Sequence, residues 1–181
     1  NQPIFKISST QNIGIENLKK NLLNTSSLKD ENIENNRGLF RMYVDRSFSQ
    51  QGFGTVVTGT VISGNINIGD SINILPVNKK ARLRSAQSHY TQVETVNVGD
   101  RAALNLHGIE KNQISRGMHL SNSEAFNVIS RFFASITILK NEVSILKQNQ
   151  RLRFHIGTSE VIGRISICEK NNLSSGESGI C

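Results

Sequence analysis

The sequence predicts a mainly β protein: a closed antiparallel barrel, then a partial second β-barrel domain, with a short βα unit ahead of both. Three observations carry that reading. From Leu39 onward, short β-rich runs follow one another with turn signals between them. The stretch "GTVVTGTVISG", Gly54 to Gly64, is strongly β-branched. In "NINIGDSINILP" the isoleucines 66, 68, 72 and 74 recur at period two around a Gly69-Asp70 turn.

The opening "PIFKISSTQNIGIENLKKNLLN" reads as strand, loop, helix. Ile4, Phe5 and Ile7 are apolar, Ser8 to Asn12 is polar, and Ile15, Leu18 and Leu22 fall at helical spacing. This βα unit covers residues 1–24. The polar "TSSLKDENIENNRG" has no sustained periodicity, so residues 25–37 read as a linker. The barrel is expected over 38–122, with "LFRMYVDRSF" alternating and further strands at Ala81–Gln87, Thr91–Val98, Arg101–Leu106 and Gly117–Leu120. "FNVISRFFASITIL" and "RLRFHIGTSEVIGRISICE" open a second β block, 123–181, too short to close a barrel by itself. The chain does not begin with Met and "NNLSSGESGIC" reads as strand-bound sequence cut short, so a piece of a longer protein is expected.

The 181 residues carry a net charge of +7, which favours polyanionic partners such as nucleic acid. No apolar run is long enough to span a bilayer, and no membrane partner is expected. Cys168 and Cys181 offer neither a disulfide framework nor a CxxC pair, which fits free thiols in a reducing cytosol. His89, His107, His119 and His155 lack metal-ligand spacing, so no metal site is expected.

Gly52-Phe53-Gly54 followed by Gly59 gives GxGxxxxG, not the GxGxxG of a dinucleotide loop. A phosphate loop must lead into a helix N-terminus, and Thr55-Val56-Val57-Thr58 is a poor helix start. These glycines are therefore expected at tight turns and close strand approaches. There is no G-x-x-x-x-G-K-[ST] loop. "VNKK" ends before Ala81, where a guanine-reading NKxD needs an Asp to accept from the base.

"DRSFSQQGFGTVVTGTVISGNINIGDSINILP" and "VGDRAALNLHGIEKNQISRGMHL" resemble domain II of the translational GTPases of the elongation factor Tu group. "HIGTSEVIGRISICE" is similar to domain III of one branch, the bacterial selenocysteine-specific elongation factors. "ISSTQNIGIENLKKNL" is similar to the end of the family's GTPase domain, with Ser8-Ser9 where a guanine-contacting Ser-Ala stands. The resemblance implies a cytoplasmic parent that binds GTP and Mg and carries selenocysteyl-tRNA to the ribosome. It also implies that the parent reads an mRNA hairpin through further domains. This chain lacks the P-loop, the DxxG switch and NKxD, so it is expected to catalyse nothing and hold no cofactor by itself.

By the same resemblance Asp45, Arg46 and Arg101 line the pocket for the aminoacyl end. Elongation factor Tu usually has Asn at the Arg101 position. The chemistry suits the exchange: a selenol is far more acidic than a hydroxyl, so selenocysteine presents an anion to guanidinium groups at neutral pH. Asp45 orients an arginine or receives the α-amino group. Serine on the same tRNA has no such charge. The competing reading is an ordinary structural Asp45–Arg46 ion pair.

Arg82 and Arg84 either meet the acceptor stem or form a solvated strand face. Lys147, Arg151, Arg153 and Arg164 are candidate contacts for the tRNA backbone, which is met by charge rather than sequence. His155 either joins them or serves packing. The rival identities are the same domains of elongation factor Tu or of a tRNA-carrying initiation factor, and a general RNA-binding β-barrel.

Overall fold

The computed structural model describes residues 3–26, 38–52, 54–140 and 145–181, which fall into two compact units, Asn1–Asn36 and Arg37–Cys181. In the first, helix α1 spans Ile15–Ser26, with Ile15 and Leu18 half-buried and Leu22 exposed. The expected strand over Ile4–Ile7 is not formed; only an isolated bridge joins Ser8 to Ile13. Ile4 is 92% exposed. A strand needs a neighbour for its N–H and C=O groups, and none of the described residues supplies one. The helix takes in Thr25 and Ser26, which read as linker; the rest of that linker, 27–37, lies outside the described residues.

The second unit opens with β1 (Arg41–Tyr43), β2 (Arg46–Gln50), β3 (Gly54–Ser63), β4 (Asn65–Asn67) and β5 (Ser71–Leu75). It continues with β6 (Lys79–Ser88), β7 (Thr91–Val93), β8 (Thr95–Asn97), β9 (Arg101–His107) and β10 (His119–Ser121). All pairings are antiparallel, in the order β1-β10-β5-β6-β9-β3, and β3 returns to β1 to close a six-stranded barrel. Strand β3 manages this because it is ten residues long. Its first half pairs with β2 from Gly54 to Thr58, and its second half with β1 through Val61 and Ser63.

Alternation explains which side chains fill the barrel. Phe40, Met42 and Val44 are fully buried at period two, as are Ile72 and Ile74. Ile66 and Val96 are buried on the β4–β8 ribbon, but Ile68 in the same run is 44% exposed because the chain is already turning there. The run read as one strand over Thr91–Val98 is two, β7 pairing with β6 and β8 with β4. A bulge between Leu83 and Ser85 on β6 lets Ala81, Leu83 and Ala86 all point inward. Gly52 and Gly54 take positive φ at the β2–β3 turn. At Gly59 a Cβ would sit 2.2 Å from the Tyr43 carbonyl oxygen, so this glycine permits the close approach of β3 to β1.

The second β block holds β11 (Ser135–Thr137), β12 (Leu146–Lys147), β13 (Arg151–Ile156), β14 (Ser159–Arg164), β15 (Asn172–Leu173) and β16 (Ser178–Ile180). They pair as β11–β16, β12–β15 and β13–β14 around a small core of Leu146, Ile165, Ile167 and Leu173. Of "FNVISRFFASITIL" only Ser135–Thr137 is strand; Phe133 is 83% exposed. Strand propensity without a partner strand leaves that run irregular.

The segment after β10 is pinned to the barrel. Phe40 N donates to Asn122 Oδ1 at 3.0 Å, and Phe126 lies edge-on to the His119 ring with the Arg41 guanidinium 4.9 Å from its own ring centre. Arg41 Nε donates to His119 Nε2 at 3.2 Å, which requires a neutral imidazole. Burial, and then the Arg41 charge, lower the His119 pKa from 6.5 to about 4.

Two measurements follow. Gly59→Ala is expected to destabilise the barrel by about 2–3 kcal/mol in urea unfolding, since backbone must move to admit the methyl group. In the unfolded chain His119 binds its proton below pH 6.5, whereas the folded barrel resists until about 4. The unfolding free energy should therefore fall as pH drops through that window, by at most about 1.4 kcal/mol per pH unit. His119→Gln should flatten the slope.

Candidate functional site

The β2–β3–β9 register builds the site. Arg46 stands opposite Thr58, and Arg101 opposite Thr60. Thr58 and Thr60 are two residues apart on β3, so they share its outward face, as do their cross-strand partners. Both arginines therefore flank one patch of the barrel wall. Asp45 enters it from the corner between β1 and β2, where its N–H donates to the Thr58 carbonyl at 2.7 Å.

Arg101 Nη2 donates to Asp45 Oδ2 at 2.5 Å; the Arg101 side chain is 52% exposed and that of Asp45 22%. This hydrogen bond, opposed by burial and aided by the charges of Arg101, Arg116 and Arg46, holds the Asp45 carboxyl below its ordinary value. The cluster thus has three guanidiniums around one carboxylate. Arg116 has no periodic pattern or motif to signal it. It lies in the turn before β10, where Gly117 N donates to the Val44 carbonyl at 2.9 Å. Thr58 Oγ1, also unforeseen, is buried with no hydrogen-bond partner among the described residues.

The other expected residues lie elsewhere. Arg82 Nε donates to the Gly69 carbonyl at 3.0 Å, a turn-stabilising role. Arg84, beside the β6 bulge, lines a cavity of about 360 Å³ with Gly52, Thr55, Asn105, His107 and Lys111. That cavity is at the Thr55–Leu106 end of the β3–β9 pair. The Thr60–Arg101 end is five residues away, about 17 Å along a strand. Asp45, Arg46 and Arg101 do not line it.

On the second block Arg151, Arg153 and His155 alternate along β13, facing Arg164, Ile162 and Glu160 of β14. Arg153 pairs with Glu160 at 2.9 Å, and Arg164 Nη1 donates to the Asn149 carbonyl. Arg151 and Arg164 are directly opposite, a like-charge arrangement that costs stability. Lys147 is on a different strand pair, β12–β15. In the first unit Ser8 Oγ is engaged with Thr10 Oγ1 and Gln11 N, both at 3.3 Å. Among the described residues no three His, Cys, Asp or Glu side chains gather as a metal site, and no helix is long and apolar enough to cross a membrane.

Arg101→Ala should raise the Asp45 pKa toward 3.8, read by carboxyl NMR titration. The stabilisation from the pair is complete above that ordinary value and lost as pH falls through the depressed one. Half-exposure of Arg101 limits it to about 1 kcal/mol or less.

Comparison with known proteins agrees with this architecture. Residues 54–121 match elongation factor Tu domain 2. Over 179 residues the chain is 32% identical to a selenocysteine-specific elongation factor of Desulfomicrobium baculatum, covering 99% of this chain and 28% of that protein. The Escherichia coli protein of that name is 35% identical over 93% of this chain and 26% of its own length. The chain thus spans about a quarter of these relatives. A crystal structure of the bacterial selenocysteine-specific factor EF-Sec superposes with a TM-score of 0.71 at 27% identity, over 100% of this chain and 30% of that one. The apo elongation factor SelB of Methanococcus maripaludis gives 0.76 at 27% identity, over 99% and 42%. Along nearly its whole length the chain is a relative of the selenocysteine-specific elongation factors, and residues 54–121 belong to the elongation factor Tu domain 2 family.

Proposed function

We propose that this chain is the part of a selenocysteine-specific translation elongation factor that holds the aminoacyl end of selenocysteyl-tRNA. In this reading residues 1–24 end a GTPase domain, 25–37 link it to the domain II barrel at 38–122, and 123–181 begin domain III. The observation that carries it is the cluster of Arg46, Arg101 and Arg116 around Asp45. Three guanidiniums against one carboxylate leave two uncompensated positive charges. An arriving selenolate is drawn to them, and Asp45, ionised and already orienting Arg101, is suited to the α-amino group. A seryl side chain brings no charge and gains nothing there.

Arg151, Arg153, His155 and Arg164 would meet tRNA phosphates, the first and last relieved of their mutual repulsion. Arg84 and Lys147 would add basic groups from other faces, and Arg82 a partly committed one. The same reading places the protein in the cytoplasm, on the ribosome, and at an mRNA hairpin through domains beyond this chain. It also makes the full-length factor a GTPase using GTP and Mg. In this reading Ser8 and Ser9 are the end of the parent's guanine site, and the rest of that site is supplied by the full-length factor.

The test compares selenocysteyl-tRNA with seryl-tRNA on one tRNA body, at fixed salt, using the full-length factor loaded with a non-hydrolysable GTP analogue. Fixing body and salt cancels most of the phosphate contribution. Arg101→Ala should lose about 2 kcal/mol of preference, roughly 30-fold, the low end for a charge pair because Arg101 is half exposed. Equal binding of both forms by the wild type would sink the assignment. A preference that survives the substitution would remove Arg101 from the pocket.

A further inference from the structure

The tip of the β13–β14 hairpin, Gly157-Thr158-Ser159, belongs to the second β block yet is built into the corner that carries Asp45. Thr158 Oγ1 donates to the Val44 carbonyl at 2.6 Å, one residue before Asp45. That carbonyl also accepts from Gly117 N at 2.9 Å, so the two donors fill both of its lone pairs. The Thr158 carbonyl in turn accepts from Arg116 Nε at 3.1 Å. Thr158 thus holds the backbone beside the carboxylate with its side chain and one of the surrounding guanidiniums with its main chain.

The approach is close by construction on both sides. A Cβ at Gly157 would lie 2.5 Å from the Tyr43 ring, and one at Gly117 would lie 2.5 Å from Ser159 Cβ. Two glycines, one per block, let the hairpin tip reach the barrel backbone. Two side chains meeting at a surface would not need that.

We infer that Thr158 is a positioning residue through which the second β block sets the geometry of Asp45 and Arg116. This deepens the functional reading above and rests on it: the anion preference of the barrel depends on a residue outside the barrel. Thr158 bonds the Val44 carbonyl and Arg116, not the Asp45 carboxylate itself. It acts through the Val44 carbonyl and Arg116. The groups facing Asp45 are Arg46 from β2, Arg101 from β9 and Arg116 from the turn before β10. Of these three, Arg116 is the one hydrogen-bonded to the second block among the described residues.

The experiment uses two readouts on wild type, Thr158→Val and Thr158→Ser. One is the carboxyl NMR titration of Asp45 in this chain, with the amide spectrum of the barrel core as a check on folding. The other is the selenocysteyl-to-seryl affinity ratio of the full-length factor. Valine keeps the shape and deletes the donor; it should raise the Asp45 pKa and cut the ratio by about tenfold, in the range of couplings between contacting groups. Serine should restore both. If valine unfolds the second block, Arg116→Lys, which keeps the positive charge but removes the Nε donor to the Thr158 carbonyl, should change both readouts in the same direction. An unchanged titration overturns the inference, and so does a shifted titration with an unchanged ratio. If the wild type shows no preference, the functional reading fails, while the titration still decides whether Thr158 positions Asp45.

Discussion

Strand β3 changes partner half-way along its length, and it does so at Gly59, where the backbone passes against the Tyr43 carbonyl with no room for a side chain. Closure of the barrel depends on that contact. With β3 shared between β2 and β1 on one side and paired with β9 on the other, the ladder from β1 round to β3 has no free edge. The inward row of Val57, Val61, Leu104 and Leu106 is then sealed from water. A sheet of the same strands left open would expose that row.

The same constraint positions the charges. Arg46 and Arg101 are 55 residues apart in sequence and become neighbours only because β2 and β9 lie on either side of β3. Their register partners, Thr58 and Thr60, decide that both face outward. A slip of one residue in either pairing would turn an arginine into the core, at a cost comparable with the whole stability of a domain this size. Register and site geometry are therefore one property. Asp45 joins them because the chain breaks between β1 and β2 at Val44-Asp45, and the turn before β10 and the β13–β14 hairpin both bond to that break.

Much of the barrel was legible because its strands are β-branched and alternate cleanly. Phe40, Met42, Val44, Ile72 and Ile74 declare their face by period alone. Where the period is interrupted, sequence reading falters: Ile68 continues the pattern of Ile66 but lies in a turn, and the β6 bulge shifts phase in a run that looks regular. The apolar residues at Ile4–Ile7 and through "FNVISRFF" have strand propensity but find no strand to pair with among the described residues. Propensity describes one chain segment, and a ladder needs two.

The sequence by itself determined the antiparallel barrel, the alternation that buries Ile66, Ile72 and Ile74, and the basic charge. These depend on local alternation and composition, which a linear string contains. It also carried, through resemblance, the selection of Asp45, Arg46 and Arg101. Only the tertiary structure decided that Asp45 bonds Arg101 and that Arg116 joins them. Only it separated Arg84 from Arg82, and paired Arg151 with Arg164 while leaving Lys147 on another sheet. Those outcomes follow from which backbones lie side by side, and that is settled by closure of the barrel and the glycine contacts at 59, 117 and 157. Interactions between distant residues are written into the register, and register exists only once the strands have met.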